Sequence, residues 1–247
     1  MKKKKLIKII LENLKTLIGA LIIAVLIRSL IIQPFYIPSS SMEPTLLIGD
    51  RIFVTKYTYG YSKHSFPFSP NFSDKRFLTR SPKKGDLVVF KTPEDNRTDF
   101  IKRVIGLPGD EIQFVNGELF INSKIIPRKL SVNKNLLRCG NLNWNTTTYI
   151  ETLPNGVEHL VAYLNEGTLK NTKKYKVPNE HYFLMGDNRD CSKDSRFDEI
   201  GFIKKLNLVG KANIIFFSND TKKGSLFKFW NLNESFRIER TFQRLHD

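Results

Sequence analysis

A chain of 247 residues, 40% apolar and 26% charged, is long enough for one large domain or two small ones, and its composition excludes disorder. Its net charge of +16 invites nucleic acid, but no helix-turn-helix, zinc-finger or aromatic-basic RNA signature is present, and attraction to anionic lipid headgroups explains the charge equally well. Two cysteines, Cys139 and Cys191, are too few for a disulfide scaffold, suggest no metal site by their spacing, and leave their own pairing open.

Residues 1–15 hold six lysines against one glutamate and form a basic N-terminus. From Thr16 to Phe35 the single charge is Arg28. Twenty helical residues span about 30 Å, the thickness of a hydrocarbon core. Arg28 sits in the second half of the segment, where snorkelling lowers its cost. Two other readings compete. A cleaved signal peptide would be cut near Ser39-Ser40-Ser41, but Pro38 and Pro44 argue against that. A buried core helix fits poorly with the lysines at its head. Residues 16–35 are therefore predicted to be a transmembrane signal anchor. The positive-inside rule keeps the lysines in the cytoplasm and places the chain after about residue 36 outside.

The next stretch, Ile37 to Leu46, has three serines between two prolines. Each proline fixes its own φ and biases the residue before it, which predicts a stiff, extended chain. Such punctuation is ordinarily a linker. The functional reading is a nucleophile held in near-attack geometry. From Asp50 the pattern turns to period two, with Ile52, Val54 and Tyr57 among polar residues, and Val88-Val89-Phe90 is a β-rich core. Residues 60–82 read as a long loop whose Phe66, Phe68, Phe72 and Phe77 touch lipid or cover the sheet. Two more strands are expected within 99–122, around the turn Gly106-Leu107-Pro108-Gly109-Asp110. Residues 36–122 thus read as the first part of a β core. Residues 123–177, polar and rich in Asn, Thr and Lys, read as an inserted β subdomain. Residues 178–247 complete the core, with a strand at 182–185, one or two more over 206–217, and a membrane-proximal tail over 226–244. The predicted fold is mainly β: one transmembrane helix, then an all-β domain.

Few nucleophilic sets are available. The four histidines, His64, His159, His181 and His246, lie in no convincing motif. Neither a Gly-x-Ser-x-Gly elbow nor a His-Glu-x-x-His pair is present. Serine with lysine as base remains. The candidate is Lys102, in an apolar strand before the Gly106 turn. A lysine starts near pKa 10.4 and a useful base works nearer 7–8, so burial must supply roughly 3–4 kcal/mol. On that segment alone, an ordinary outward lysine on an edge strand is the better reading.

Four boxes in order change the balance. They are Pro38-Ser39-Ser40-Ser41-Met42-Glu43-Pro44-Thr45-Leu46; Gly49-Asp50 with Val54, Lys56, Tyr59 and Gly60; Lys102-Arg103-Val104-Ile105-Gly106-Leu107-Pro108-Gly109-Asp110; and Gly186-Asp187-Asn188-Arg189-Asp190-Cys191-Ser192-Lys193-Asp194-Ser195-Arg196. With an N-terminal anchor before them, the chain resembles the bacterial type I signal peptidases, membrane-anchored Ser/Lys endopeptidases that remove signal peptides from exported preproteins. The likeness covers residues 35–60, 85–110 and 180–215 well and 123–177 poorly.

The resemblance implies that the all-β domain is a catalytic domain of twisted antiparallel sheets, and it implies roles residue by residue. Ser41 is the nucleophile and Lys102 its general base, which later protonates the leaving amine. The Ser41 N–H and the Ser39 hydroxyl form the oxyanion hole, typically worth ~3–4 kcal/mol per donor. Ser192 orients the Lys102 ammonium. Arg103, Asp187, Asp194 and Arg196 form structural ion pairs. Phe35, Ile37, Pro38, Met42, Leu46, Val89, Phe100 and Ile101 line two shallow apolar pockets for small residues, as in Ala-x-Ala sites. The implied enzyme needs no cofactor and no metal, acts on preproteins beside membrane phospholipids on the outer face of the bacterial cytoplasmic (inner) membrane, and works as a monomer. Some features depart from the pattern. Cys191 stands where many relatives have Asn, which implies tolerance or a reactive thiol beside Ser192. One span precedes the nucleophile box, where many Gram-negative members have two. The insert is longer than in the mitochondrial relatives, and lysine in the third box argues against the endoplasmic-reticulum type. Two rivals remain: an inactive relative serving as a preprotein-binding module, and a self-cleaving regulator of the SOS-repressor type, which the anchor and the lack of a DNA-binding domain oppose.

Overall fold

The computed structural model describes residues 2–71, 73–140, 142–164, 170–220 and 235–245. Helix α1 spans Lys2–Leu30. Within it, Lys4–Leu30 is long and apolar enough to cross a membrane, and its apolar stretch is not buried against the rest of the protein. The helix stops at Leu30, short of the predicted Phe35. Pro34 accounts for this, since it lacks an N–H and its ring clashes with the preceding turn. Ile32–Tyr36 instead form strand β1. Pro34 is tolerated there because β1 is an edge strand.

The other strands follow in order: β2 (Asp50–Thr55), β3 (Leu87–Lys91), β4 (Asp99–Gly106), β5 (Glu111–Val115), β6 (Glu118–Ile121), β7 (Lys124–Ile125), β8 (Arg128–Cys139), β9 (Leu142–Thr152), β10 (Glu158–Leu164), β11 (Tyr175–Lys176), β12 (His181–Met185), β13 (Ile203–Lys204), β14 (Leu208–Ser218) and β15 (Gln243–Arg244). Among the described residues the main sheet runs β1-β2-β14-β3-β4-β12-β13, with β15 beside β14. A three-stranded sheet, β10-β9-β8, and a four-stranded one, β11-β5-β6-β7, complete the fold, which is mainly antiparallel β. Residues 99–122 hold three strands where two were expected, because Asn116-Gly117 makes a two-residue hairpin between β5 and β6. Both residues have positive φ, 52° and 79°, the geometry an Asn-Gly turn favours. The small sheet also crosses the expected edges of the insert, since β7 and β11 pair with β6 and β5.

The central strands are buried on both faces. In β3, Leu87 and Val89 join one apolar cluster while Val88 and Phe90 join another. Alternate residues of a strand point to opposite faces, so a strand with two covered faces reads as an unbroken apolar run. In the long loop, Phe68 and Phe77 are exposed; Phe72 lies outside the described residues. Much of the expected membrane-proximal tail also lies outside them, as does His246. Its described end is tied to the main sheet: β15 pairs with β14, and Arg240 donates to Asp50 at 2.6 Å.

Candidate active site

The chain leaves β1 and folds into consecutive turns over residues 39–47 before entering β2. The predicted extended geometry is absent here. Glu43 N–H donates to Ser40 O at 3.0 Å and Leu46 N–H to Met42 O at 2.9 Å. Met42 and Leu46 are both 0% exposed within the cluster that includes Ile52, Val54 and Val89. Two buried side chains four residues apart draw the segment inward and compact it. For the same reason Met42 and Leu46 pack in the core and do not line the groove, contrary to expectation.

Across the turn stands β4. Lys102 pairs with Val88, and its side chain is 3% exposed. Its Nζ lies 2.7 Å from Ser41 Oγ and 3.0 Å from the Ile101 carbonyl, with the Phe100 ring centroid 5.3 Å away. Burial pulls the Lys102 pKa down to about 8, Asp194 and Asp187 oppose the shift, and Arg196 adds to it. Lys56 is drawn down equally far, to about 8, by burial and the charge of Arg28. A depressed pKa therefore does not by itself pick out the base. Lys56 Nζ donates to the Ser65 carbonyl, whereas Lys102 Nζ touches a hydroxyl.

Beneath this pair lie two buried ion pairs. Arg103 holds Asp187 with two bonds, at 2.8 and 2.7 Å, and Arg196 holds Asp194 with two at 2.8 Å. Burial pushes both carboxyls up, but the adjoining guanidinium charges hold them below the usual range. Asp194 also accepts the Gly186 N–H at 2.9 Å. Ser39 Oγ lies 3.5 Å from Ser41 Oγ. Ser192 is 7% exposed, and among the described residues its hydroxyl has no hydrogen-bond partner, so the expected bond to Lys102 is not made. Lys102 Nζ bonds Ser41 and Ile101 instead, and Ser192 lies against Gly186. A Cβ on Gly186 would fall 2.2 Å from Ser192 Oγ and 2.5 Å from Ser41 O, so only glycine permits this approach.

A groove of about 560 Å³ opens over Ser41 and Lys102. Phe35, Ile37 and Pro38 face it from one side and Val89, Phe100 and Ile101 from the other. A model of the family described as signal peptidase, peptidase S26, matches residues 10–217. The chain belongs to the signal peptidase family. With membership comes the enzyme class, a serine hydrolase. Curated relatives agree: the signal peptidase I of Rickettsia typhi is 39% identical over 91% of this chain and 90% of its own. That of Rickettsia bellii is 36% identical over 95% of this chain and 86% of its own. Among solved structures, a signal peptidase I from Enterococcus faecalis is 26% identical and covers 53% of this chain and 97% of its own, with a TM-score of 0.32.

Several contacts at this signal peptidase site were not legible in the sequence, although most of the residues that make them were. Cys139 and Cys191 form a disulfide, which removes the alternative of a free, reactive thiol beside Ser192. Asn188 donates its N–H to Ser41 O at 3.2 Å. A second buried charge chain lies behind Asp187: His159 Nε2 is 4.0 Å from Asp187 and 3.4 Å from Glu151, and Glu151 in turn binds Arg189. Burial and the Arg103 charge lower the His159 pKa, against the opposing pull of Glu151 and Asp187. These contacts join segments far apart in the chain, where no local pattern exists to be read.

Proposed function

We propose that this signal peptidase-family enzyme removes signal peptides from exported preproteins, with Ser41 as nucleophile and Lys102 as general base. The 2.7 Å approach of a buried, easily deprotonated Lys102 to Ser41 carries the reading. Neutral Lys102 takes the Ser41 proton as Oγ attacks the scissile carbonyl. The developing oxyanion is met by the Ser41 N–H and the Ser39 hydroxyl. Lys102 then gives its proton to the leaving amine. It next draws a proton from a water molecule, which attacks the acyl-enzyme, and returns that proton to Ser41 Oγ as the acyl bond breaks. Arg103–Asp187 and Arg196–Asp194 keep the floor of the site rigid and are not reactants.

The apolar walls favour small side chains before the cut, as in Ala-x-Ala sites. β12 pairs β4 only from Arg103 onward, which leaves Asp99–Lys102 a free edge. An extended substrate adds to such an edge through main-chain hydrogen bonds. The anchor α1 holds enzyme and substrate in one plane, with the lysines in the cytoplasm and the catalytic domain outside. A disulfide fits that placement, because such bonds persist in oxidising compartments.

The test is cleavage of an Ala-x-Ala preprotein by lipid-reconstituted wild type, Ser41→Ala and Lys102→Ala. Wild type alone should cut, after the second Ala, at a rate rising with pH through about 8. A folded wild type that binds but does not cut would make the protein a preprotein-binding module. Cleavage that survives Ser41→Ala would sink the assignment.

A further inference from the structure

The sheet β8-β9-β10 reaches into the groove. Gly140, at the turn between β8 and β9, lines it together with Cys191, Ser41 and Lys102. Three ties hold that turn in place. The Cys139–Cys191 disulfide fixes the two Cα atoms 5.5 Å apart. The buried Glu43 carboxylate accepts the Arg138 N–H at 2.9 Å. The buried Asn188 amide donates to Ser40 O at 3.2 Å and to Arg138 O at 3.1 Å. Ser40 and Glu43 lie on either side of Ser41 in the chain, so β8 at the turn is tied to Glu43 directly and to Ser40 through Asn188.

We propose that the β8–β9 turn is a third wall of the substrate groove and determines specificity: Gly140 and Cys191 set the clearance for substrate residues beside the scissile bond, and the disulfide positions that wall. The inference rests on Ser41 and Lys102 being the reacting pair. Gly140 suits the role. Its φ is +62°, and a Cβ there would meet nothing within 4 Å, so any side chain at this position enters open space. A glycine wall leaves room for a backbone to pass close by.

The experiment uses the full-length enzyme in phospholipid vesicles and preproteins carrying Ala, Val or Leu immediately before the cut. Gly140→Asn keeps the disulfide and uses a residue that accepts left-handed φ. Its added side chain should raise KM for the Ala substrate about tenfold, with the loss in KM and not in kcat. In the Cys139→Ser/Cys191→Ser double variant the wall is released, and the preference for Ala over Val should fall by about tenfold. A merely structural disulfide would lower activity on all three substrates alike and leave their ratio intact. If the double variant does not fold, Gly140→Asn decides alone: an unchanged KM with an unchanged Ala/Val ratio overturns the proposal. Failure of the underlying assignment is seen separately, as cleavage that survives Ser41→Ala.

Discussion

At the scale of single residues, the site depends on what surrounds Lys102. The side chain is an ordinary lysine by type, and its strand alone favoured an outward, solvated position. The fold surrounds it with Ser41, Phe100 and the Ile101 carbonyl, and desolvation does the rest. Holding that ammonium in the interior costs stability. Burial pulls the Lys102 pKa in the folded chain from the ordinary 10.5 down to about 8. Between those pH values the unfolded chain binds the extra proton, so stability rises with pH across this window. Below it the penalty is fully present, roughly 3 kcal/mol at about 1.4 per unit. Lys102→Met should therefore be inactive yet raise the melting temperature at pH 7, and the gain should shrink as pH approaches 10. Thermal melts at several pH values check this. A lower melting temperature at pH 7 would mean that burial is not what depresses the lysine.

Among the elements, the junction of α1 and β1 matters most for the site. The helix ends at Leu30, where the Tyr61 hydroxyl donates to its last carbonyl at 2.9 Å. Six residues later the chain has already paired with β2, from Ile32 opposite Thr55 to Tyr36 opposite Arg51. β1 therefore belongs to the catalytic sheet, and Phe35 and Ile37 carry it into the groove. Two truncations separate the roles. A chain beginning at Ile31 should keep the β fold and cleave a soluble signal-peptide substrate. A chain beginning at Ile37 loses β1, bares β2 and lacks the half-buried Phe35, a loss below the roughly 1.5–3 kcal/mol of a fully buried aromatic. Urea denaturation should show a lower midpoint for the shorter chain alone. Equal midpoints would show that β1 is dispensable.

For the molecule as a whole, the proposed orientation has a redox consequence. With the basic N-terminus in the cytoplasm, the domain that carries the Cys139–Cys191 bond would lie on the oxidising side. The bond spans 52 residues of chain. On the chain-entropy account a loop of that size stabilises by roughly 4 kcal/mol. In intact cells both cysteines should resist a membrane-impermeant alkylating reagent until a reductant is added, and the reduced enzyme should melt at a lower temperature. Alkylation that needs cell lysis but no reductant would place the domain in the cytoplasm.

Much of this was legible in the chain itself because its causes are local. A long apolar run behind lysines makes a helix fit to span a membrane, and Pro34 ends it one strand early. Alternating or unbroken apolar runs make the strands, and four short boxes carry the family. What tertiary structure alone decided is everything that joins distant segments. Ser41 and Lys102 are 61 residues apart and meet through the register of the sheet. The cysteines pair across the site, Ser192 is left without a partner, Met42 and Leu46 turn into the core, and the β8–β9 turn reaches the groove. Strand register and desolvation are properties of surroundings assembled from the whole chain, and no window of neighbouring residues contains them.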